Sequence, residues 1–316
     1  MSNAINFTFS DTIAGYVSHY DKAKDFYTVT TSDNREYTIK LKSNTYAMFV
    51  RNLGDGWRDC TGSMRDMLTP GRFVYTYGVY YPENSGFAFE AQYLTFNGVQ
   101  EDEFFFEQPD WWIEQIKQIG DFYLKAQFGD GPVDFRNYRT RISLNGEKEQ
   151  DDFRQETDTI SRLVFGFASA YLLTGDDRYL EGAEAGTEYL RKHMRFFDMD
   201  NNIVYWYHGI DVHGDREVQV FASEFGDDYD AVPAYEQIYA LAGPIQTYRI
   251  TGDPRILKDA ELTVELFDRF FLDTEKGGYF SHLDPVTLDA RSDTLGENRG
   301  KKNWNSVGDH APAYLI

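Results

Sequence analysis

Acidic side chains crowd the stretch ahead of Pro233, where Glu224, Asp227, Asp228 and Asp230 fall within seven residues. Oxygen-rich loops of this kind can hold calcium. Paired carboxylates can also act as acid and base in glycoside hydrolysis, with Glu224, Asp227, Asp228 and Asp309 as candidates. Neither use is required, because carboxylates at a helix N-terminus are stabilised without a metal. Residues 198–202 imitate the start of a calcium loop, but Gly209 stands at the twelfth place instead of a bidentate glutamate, so they read as a turn. His208 and His213 lie five apart in a Gly-containing loop and read as surface histidines. Arg162 follows Asp158 by four residues, a spacing that leaves a helical ion pair as open as a catalytic cation. Zinc-protease, phosphate-loop, nucleophile-elbow and dinucleotide-binding patterns are missing.

The elements that must position these residues change period near residue 100. Before it, runs at 15–19, 26–31, 36–41, 72–79 and 87–96 alternate like strands. A helical stretch is expected over 46–53. Five strands with a helix between the third and fourth point to a small OB-like β-barrel over 1–100. Its tyrosines either bind a ligand or are buried to brace a neighbour. Residues 101–110 read as a linker. From 111 to 316 the period is that of helices, expected at 111–128, 157–173, 178–194, 233–250, 254–272 and from Asn305 onward. Thr174-Gly175-Asp176-Asp177-Arg178 recurs as Thr251-Gly252-Asp253-Pro254-Arg255, an offset of 77, and eight of the fifteen positions from each threonine are identical. Each unit is a helix, a tight turn, a second helix and a short hairpin, at 201–206 and 277–282. Helical pairs repeated in this way stack or curl. The hairpins favour a toroid, so the fold class is mainly α with an N-terminal β-domain.

Composition narrows the partners. Lys and Arg number 31 against 52 Asp and Glu, a net charge of −21 that would repel nucleic acid and anionic lipid. Aromatics make up 17% of the 316 residues, too many for a disordered chain. The single Cys60 excludes an internal disulfide and a multi-thiolate metal site. No apolar run approaches the ~20 residues of a membrane span, and Met1-Ser2-Asn3-Ala4-Ile5 shows no secretory pattern. A cytoplasmic location is expected.

Four segments resemble the N-acylglucosamine 2-epimerase superfamily, which includes cellobiose 2-epimerases and aldose–ketose isomerases. They are the Arg162-led run to Tyr171, Tyr235-Glu236-Gln237-Ile238-Tyr239-Ala240-Leu241, Asp273 with Gly277-Gly278-Tyr279-Phe280, and Lys302-Asn303-Trp304-Asn305-Ser306. The likeness covers about 110–316. It implies an (α/α)6 barrel and proton abstraction beside a sugar carbonyl, with no cofactor and no metal. Such chemistry needs a base near working pH and a cation placed for the enediolate. By position Arg162 is that cation, and Tyr235, Gln237 and Asn305 would contact sugar hydroxyls. Trp304 either stacks on the sugar or packs a helix start. Where cellobiose epimerases continue His-Leu-His, this chain has Val307-Gly308-Asp309 and then His310. On a helix Asp309 shares the face of Asn305, while His310 points about 100° away, so Asp309 is favoured as the pocket residue.

An α/α toroid closes with about six helix pairs, and roughly three are counted. The chain therefore reads as the first half of the barrel, with the proton-exchanging histidines of the family expected beyond Ile316. Competing readings are an α/α-barrel glycoside hydrolase and a non-catalytic carbohydrate-binding or docking protein. An open half-toroid would expose apolar surface, so aggregation or pairing into a homo-oligomer is expected. Residues 1–316 alone are expected to show little or no epimerase turnover, measured as C2–deuterium exchange of aldoses in heavy water.

Overall fold

The computed structural model describes residues 7–83, 86–98, 104–149, 151–224, 226–303 and 307–308. The chain divides into two compact units, Met1–Trp112 and Ile113–Ile316. The first contains β1 (Phe9–Asp21), β2 (Phe26–Thr30), β3 (Glu36–Lys40), β4 (Tyr46–Phe49), the single turn α1 (Met64–Met67), β5 (Phe73–Glu83) and β6 (Gly86–Phe96). β1 pairs antiparallel with β2 and β5, β2 with β3, and β5 with β6. The outer edge of β6 takes β3 in parallel at Phe89–Glu90, and then β4 at Tyr93–Phe96. These pairings form a circuit, which leaves few unpaired strand edges. Gly15 and Gly78 allow neighbouring strands to approach closely: a Cβ there would lie 2.4 Å from the Thr30 carbonyl oxygen and 2.5 Å from that of Glu90. Inside, Tyr27 and Thr76 share a buried 2.5 Å hydroxyl contact.

Two expectations for this unit are corrected. Residues 46–49 form a strand, not a helix, because Thr45 and Ala47 are buried while Tyr46 is exposed, a period of two. The Thr45 hydroxyl also donates to the Ala91 carbonyl, anchoring the chain along β6. The helical turn comes later, at Thr61–Ser63 and α1, and there are six strands rather than five. Within the expected linker, Phe104 is buried and the Phe105 amide donates to Asn52 Oδ1 at 2.7 Å, which ties that end to the first unit.

The second unit begins with the rest of α2 (Trp111–Phe128) and continues through β7 (Arg154–Glu156), α3 (Thr157–Thr174), α4 (Asp177–Tyr189), β8 (Arg195–Asp198), β9 (Ile203–Trp206), β10 (Gly209–His213), β11 (Arg216–Val220), β12 (Val232–Pro233), α5 (Ala234–Thr251), α6 (Pro254–Leu266) and β13 (His282–Leu283). The expected last helix, from Asn305 onward, lies largely outside the described residues. The 77-residue offset reaches well beyond the turn that revealed it. α3 and α5 start and stop 77 apart, as do α4 and α6, and each second helix ends in a five-residue π-helical segment, Leu190–Met194 or Phe267–Phe271.

The turns match atom for atom. Gly175 and Gly252 end their helices at φ 70° and 67°, where a side chain would be strained. Asp176 and Asp253 then cap the next helix, accepting from the amides of Arg178 at 3.1 Å and Arg255 at 2.9 Å. In front of each pair the same contact recurs: the Thr157 amide donates to the His208 carbonyl, and the Ala234 amide to that of Ser281.

α3 and α5 pack side by side around Ser161 and Gly243. A Cβ on Gly243 would lie 2.3 Å from the Ser161 carbonyl oxygen. Pro244, inside α5, cannot donate to the Ala240 carbonyl. The Ser161 hydroxyl donates to that carbonyl at 3.2 Å and accepts the Gly243 amide at 2.9 Å, so the carbonyl that Pro244 cannot serve still has a donor. Gly243→Ala is expected to destabilise the protein by about 2 kcal/mol or more through overpacking. Gly166→Ala, where nothing lies within 4 Å of an added Cβ, should be stabilising by about 1 kcal/mol through helix propensity. Urea unfolding midpoints compare the two.

Candidate active site

Because α3 and α5 run side by side with matched starts, their first turns bring equivalent positions together. The offset sets Asp158 against Tyr235 and Arg162 against Tyr239, and these four side chains meet. Arg162 pairs with Asp158 one turn earlier and lays its guanidinium over the Tyr239 ring at 4.6 Å. Tyr235 meets Tyr239 edge to face at 6.2 Å. Arg162 stays half exposed, and its other side lines a cavity of about 360 Å³ walled by Ile116 and Tyr123 of α2, Tyr138, Thr140, and Thr159 and Leu163 of α3. Held by a carboxylate and a ring, the guanidinium is a preorganised cation.

Behind this quartet lies a buried acid–imidazole pair. His208, 3% exposed, brings Nδ1 to 2.8 Å from Glu236 Oε1, and the Tyr235 hydroxyl donates to the same oxygen at 3.3 Å. The surface reading of His208 is thereby corrected. Its backbone precedes Gly209, whose missing Cβ lets β10 approach β7: a Cβ would sit 2.4 Å from the Gln155 carbonyl oxygen. His213 does lie at the surface, against the Phe153 ring at 4.4 Å.

Charge explains the protonation of the cluster. Burial pushes the Glu236 carboxyl above its ordinary value, against the pull of His208. Glu156, at the start of α3, is raised by burial and by the charge of Asp158. Burial draws His208 down, but the hydrogen bond and charge of Glu236, with the charge of Glu156, outweigh it and leave the imidazole above 6.5. Tyr235 is raised by burial and by the charges of Glu236, Asp228 and Asp158, and so keeps its proton.

Gln237 lies elsewhere. It is buried, its Oε1 accepts from the Trp206 amide at 2.8 Å and its Nε2 donates to the Trp206 carbonyl at 2.9 Å. Both ends of the amide are spent on clamping β9, and the expected sugar contact gives way to a strand anchor. Trp304, Asn305, Asp309 and His310 lie outside the described residues. Lys302, which opens their segment, pairs with Asp273 at 2.7 Å. Lys302 and neighbouring backbone amides hold the Asp273 carboxyl down at about 2. The four resembling segments therefore touch in two pairs, the first with the second through Arg162 and Tyr239 and the third with the fourth through Asp273 and Lys302.

Two of the carboxylates ahead of Pro233, Glu224 and Asp228, are also engaged. Glu224 bonds Arg154 at 2.8 Å, Arg154 grips Asp211, and Asp228 pairs with the buried His282. Residues 198–202 form the β8–β9 turn, with Asp198 accepting two backbone amides. Among the described residues no group of His, Cys, Asp or Glu is arranged to hold a metal ion. Likewise, none of their helices is long and apolar enough to cross a membrane.

No family model matches the chain, and no curated protein matches it. Solved structures similar to it include a cellobiose 2-epimerase from Bacillus thermoamylovorans, 16% identical, covering 56% of this chain and 42% of that one with a TM-score of 0.38. A D-mannose isomerase is 17% identical, with coverages of 65% and 48% and a TM-score of 0.41. A family 76 glycoside hydrolase (mannosidase) from Bacteroides thetaiotaomicron is 16% identical, with coverages of 45% and 35% and a TM-score of 0.32. The chain spans less than half the length of each.

The His208–Glu236 pair makes a pH prediction. With the folded imidazole above its ordinary 6.5, its contribution to stability is fully present below that value and fades as pH rises through the folded one. NMR titration of the His208 ring should give a midpoint above 6.5. In Glu236→Gln, where the desolvation cost is no longer opposed by that charge, the midpoint should fall.

Proposed function

We propose that the chain carries part of the active site of a carbohydrate-active enzyme, a sugar 2-epimerase or aldose–ketose isomerase working through an enediolate. The observation that supports this reading best is Arg162. It is fixed from two sides by Asp158 and the Tyr239 ring, yet remains open toward a cavity. Removing the proton beside a carbonyl throws negative charge onto two oxygens. A guanidinium offers two parallel N–H donors to such a pair, already oriented and needing no reorganisation as charge develops. The hydroxyl of Tyr235 donates its hydrogen bond to Glu236 and can accept from a sugar hydroxyl. The His208–Glu236 pair lies one layer deeper and fixes the carboxylate that this hydroxyl touches. In this reading the first unit is an OB-like barrel and the helical unit a sector of an (α/α)6 toroid. The circuit of β1, β2, β3, β6 and β5 supports the former, and the 77-residue repeat of helical pairs the latter.

A second reading, glycoside hydrolysis, draws on the raised carboxyls of Glu156 and Glu236, since a general acid must hold its proton near neutrality. Against it, the carboxylates nominated from the sequence that can be seen, Glu224 and Asp228, are bonded to Arg154 and His282. One assay separates the two: the full-length protein is incubated in heavy water with mannose, glucose or cellobiose, and with mannan. Deuterium entering at C2 supports isomerisation, and release of reducing ends without it supports hydrolysis. Arg162→Ala is expected to lower the exchange rate by about 100-fold or more, with Arg162→Lys recovering only part. An unchanged rate in Arg162→Ala would remove the role assigned to it.

A further inference from the structure

The outer surface of the first unit carries a row of aromatic rings that the chemistry of the helical unit does not use. The register produces it. On β5, Val74 and Thr76 are wholly buried, which turns Phe73, Tyr75 and Tyr77 outward. Pairing then sets rings on neighbouring strands beside them. Tyr16 of β1 stands opposite Phe73, and Tyr93 of β6 stands opposite both Tyr77 and, on its other side, Tyr46 of β4. Successive centroids lie close: 5.0 Å from Tyr16 to Phe73, 5.1 Å on to Tyr75, 5.1 Å from Tyr77 to Tyr93 and 5.4 Å on to Tyr46. Trp57 extends the row 6.1 Å beyond Tyr46. Tyr16 is 57% exposed and Trp57 55%. Crossing four strands spaced about 4.8 Å apart, and five residues of β5 at about 3.4 Å each, the row runs diagonally for about 20 Å.

Charge and shape select its occupant. The outward positions across from and beside Tyr75 are Ala14, Thr95 and Met48, all uncharged. A nucleic acid would need lysine and arginine along its track, and the chain as a whole carries −21. A protein partner anchors through a central cluster of side chains seated in pockets, whereas this row is one ring wide, with Ala14, Thr95 and Met48 beside it. Tyrosine offers a flat apolar face tipped with a hydroxyl. A pyranose ring offers the complement, a flat face of C–H groups edged with hydroxyls, and a polysaccharide repeats that face along a line. Tyr77, Tyr93 and Tyr46 stack on one another and so present their edges outward, whereas Tyr16 and Trp57 are the most exposed rings of the row. We propose that this row binds a neutral polysaccharide lengthwise, with Trp57 and Tyr16 stacking on its sugar rings and the edges of Tyr77, Tyr93 and Tyr46 lying along the chain between them.

The test is native affinity electrophoresis of the whole protein in gels containing soluble β-glucan, galactomannan or arabinoxylan. Retardation is expected in at least one gel, with affinity reduced at least fivefold in the double variant Tyr16→Ala, Trp57→Ala. Trp57→Ala, which alters only a loop, should weaken binding without changing the thermal midpoint, so a folding defect in the double variant cannot account for the result. No retardation in any of the three gels, or equal retardation of wild type and both variants, would overturn the proposal. So would binding of the wild type to poly(dT) instead, or an apparent retardation that proves to be self-association lost in the variants. The inference does not lean on the reaction proposed for the helical unit. Deuterium exchange reports on Arg162 alone and would survive failure of the binding test, just as the gels would survive failure of the exchange test.

Discussion

Where α3 crosses α5, the Ser161 carbonyl oxygen comes so near Gly243 that no side chain fits between them, and the proposed site depends on that closeness. Helices normally stand 8–10 Å apart, at a distance set by the side chains between them. Here a glycine, a serine and a proline remove the spacer. The serine hydroxyl then services the carbonyl that Pro244 cannot reach and the amide just before it. The two first turns, some way along the same helices, are held together as a consequence. Only then can a guanidinium from one helix lie on a tyrosine from the other.

The same closeness explains the charge arrangement. Glu156, Asp158 and Glu236 all sit at helix starts, where backbone amides favour anions, and joining two helix starts concentrates carboxylates in one place. Such a gathering is tolerable only with cations interleaved. Arg162 and His208 supply them within the cluster, while Arg154 pairs with Glu224 just outside it. Burial raises the carboxyls of Glu156 and Glu236 above their ordinary value, so both hold a proton more tightly than an exposed carboxyl would.

Much of this architecture was legible in the residues. The five long helices follow the expected spans closely, because a period of 3.6 with Asp or Pro at the start and Gly at the end is a strong local signal. The Thr-Gly-Asp-x-Arg repeat disclosed one turn geometry, and its offset, carried four residues into α3 and α5, would have named Asp158, Arg162, Tyr235 and Tyr239 as a group. Other features were hidden for physical reasons. The strand at 46–49 is four residues long and owes its existence to the edge of β6, a partner more than forty residues away. His208 looked like a loop residue because burial there comes from a glycine contact between β10 and β7, which no local pattern encodes. Gln237 had the right type for binding a sugar, but its two hydrogen bonds to Trp206 depend on tertiary packing alone.

The paired π-helical segments bear on the history of the chain. Each arises at the same point of its repeat, where Leu190 and Phe267 donate to carbonyls three and four residues back in identical fashion. A widened turn of this sort is rare. Two independent occurrences at equivalent places would be a coincidence. A simpler descent has the widened turn present in one ancestral hairpin before that hairpin was copied. The distortion was then inherited by both descendants, along with the abrupt change of direction it imposes on whatever strand comes next.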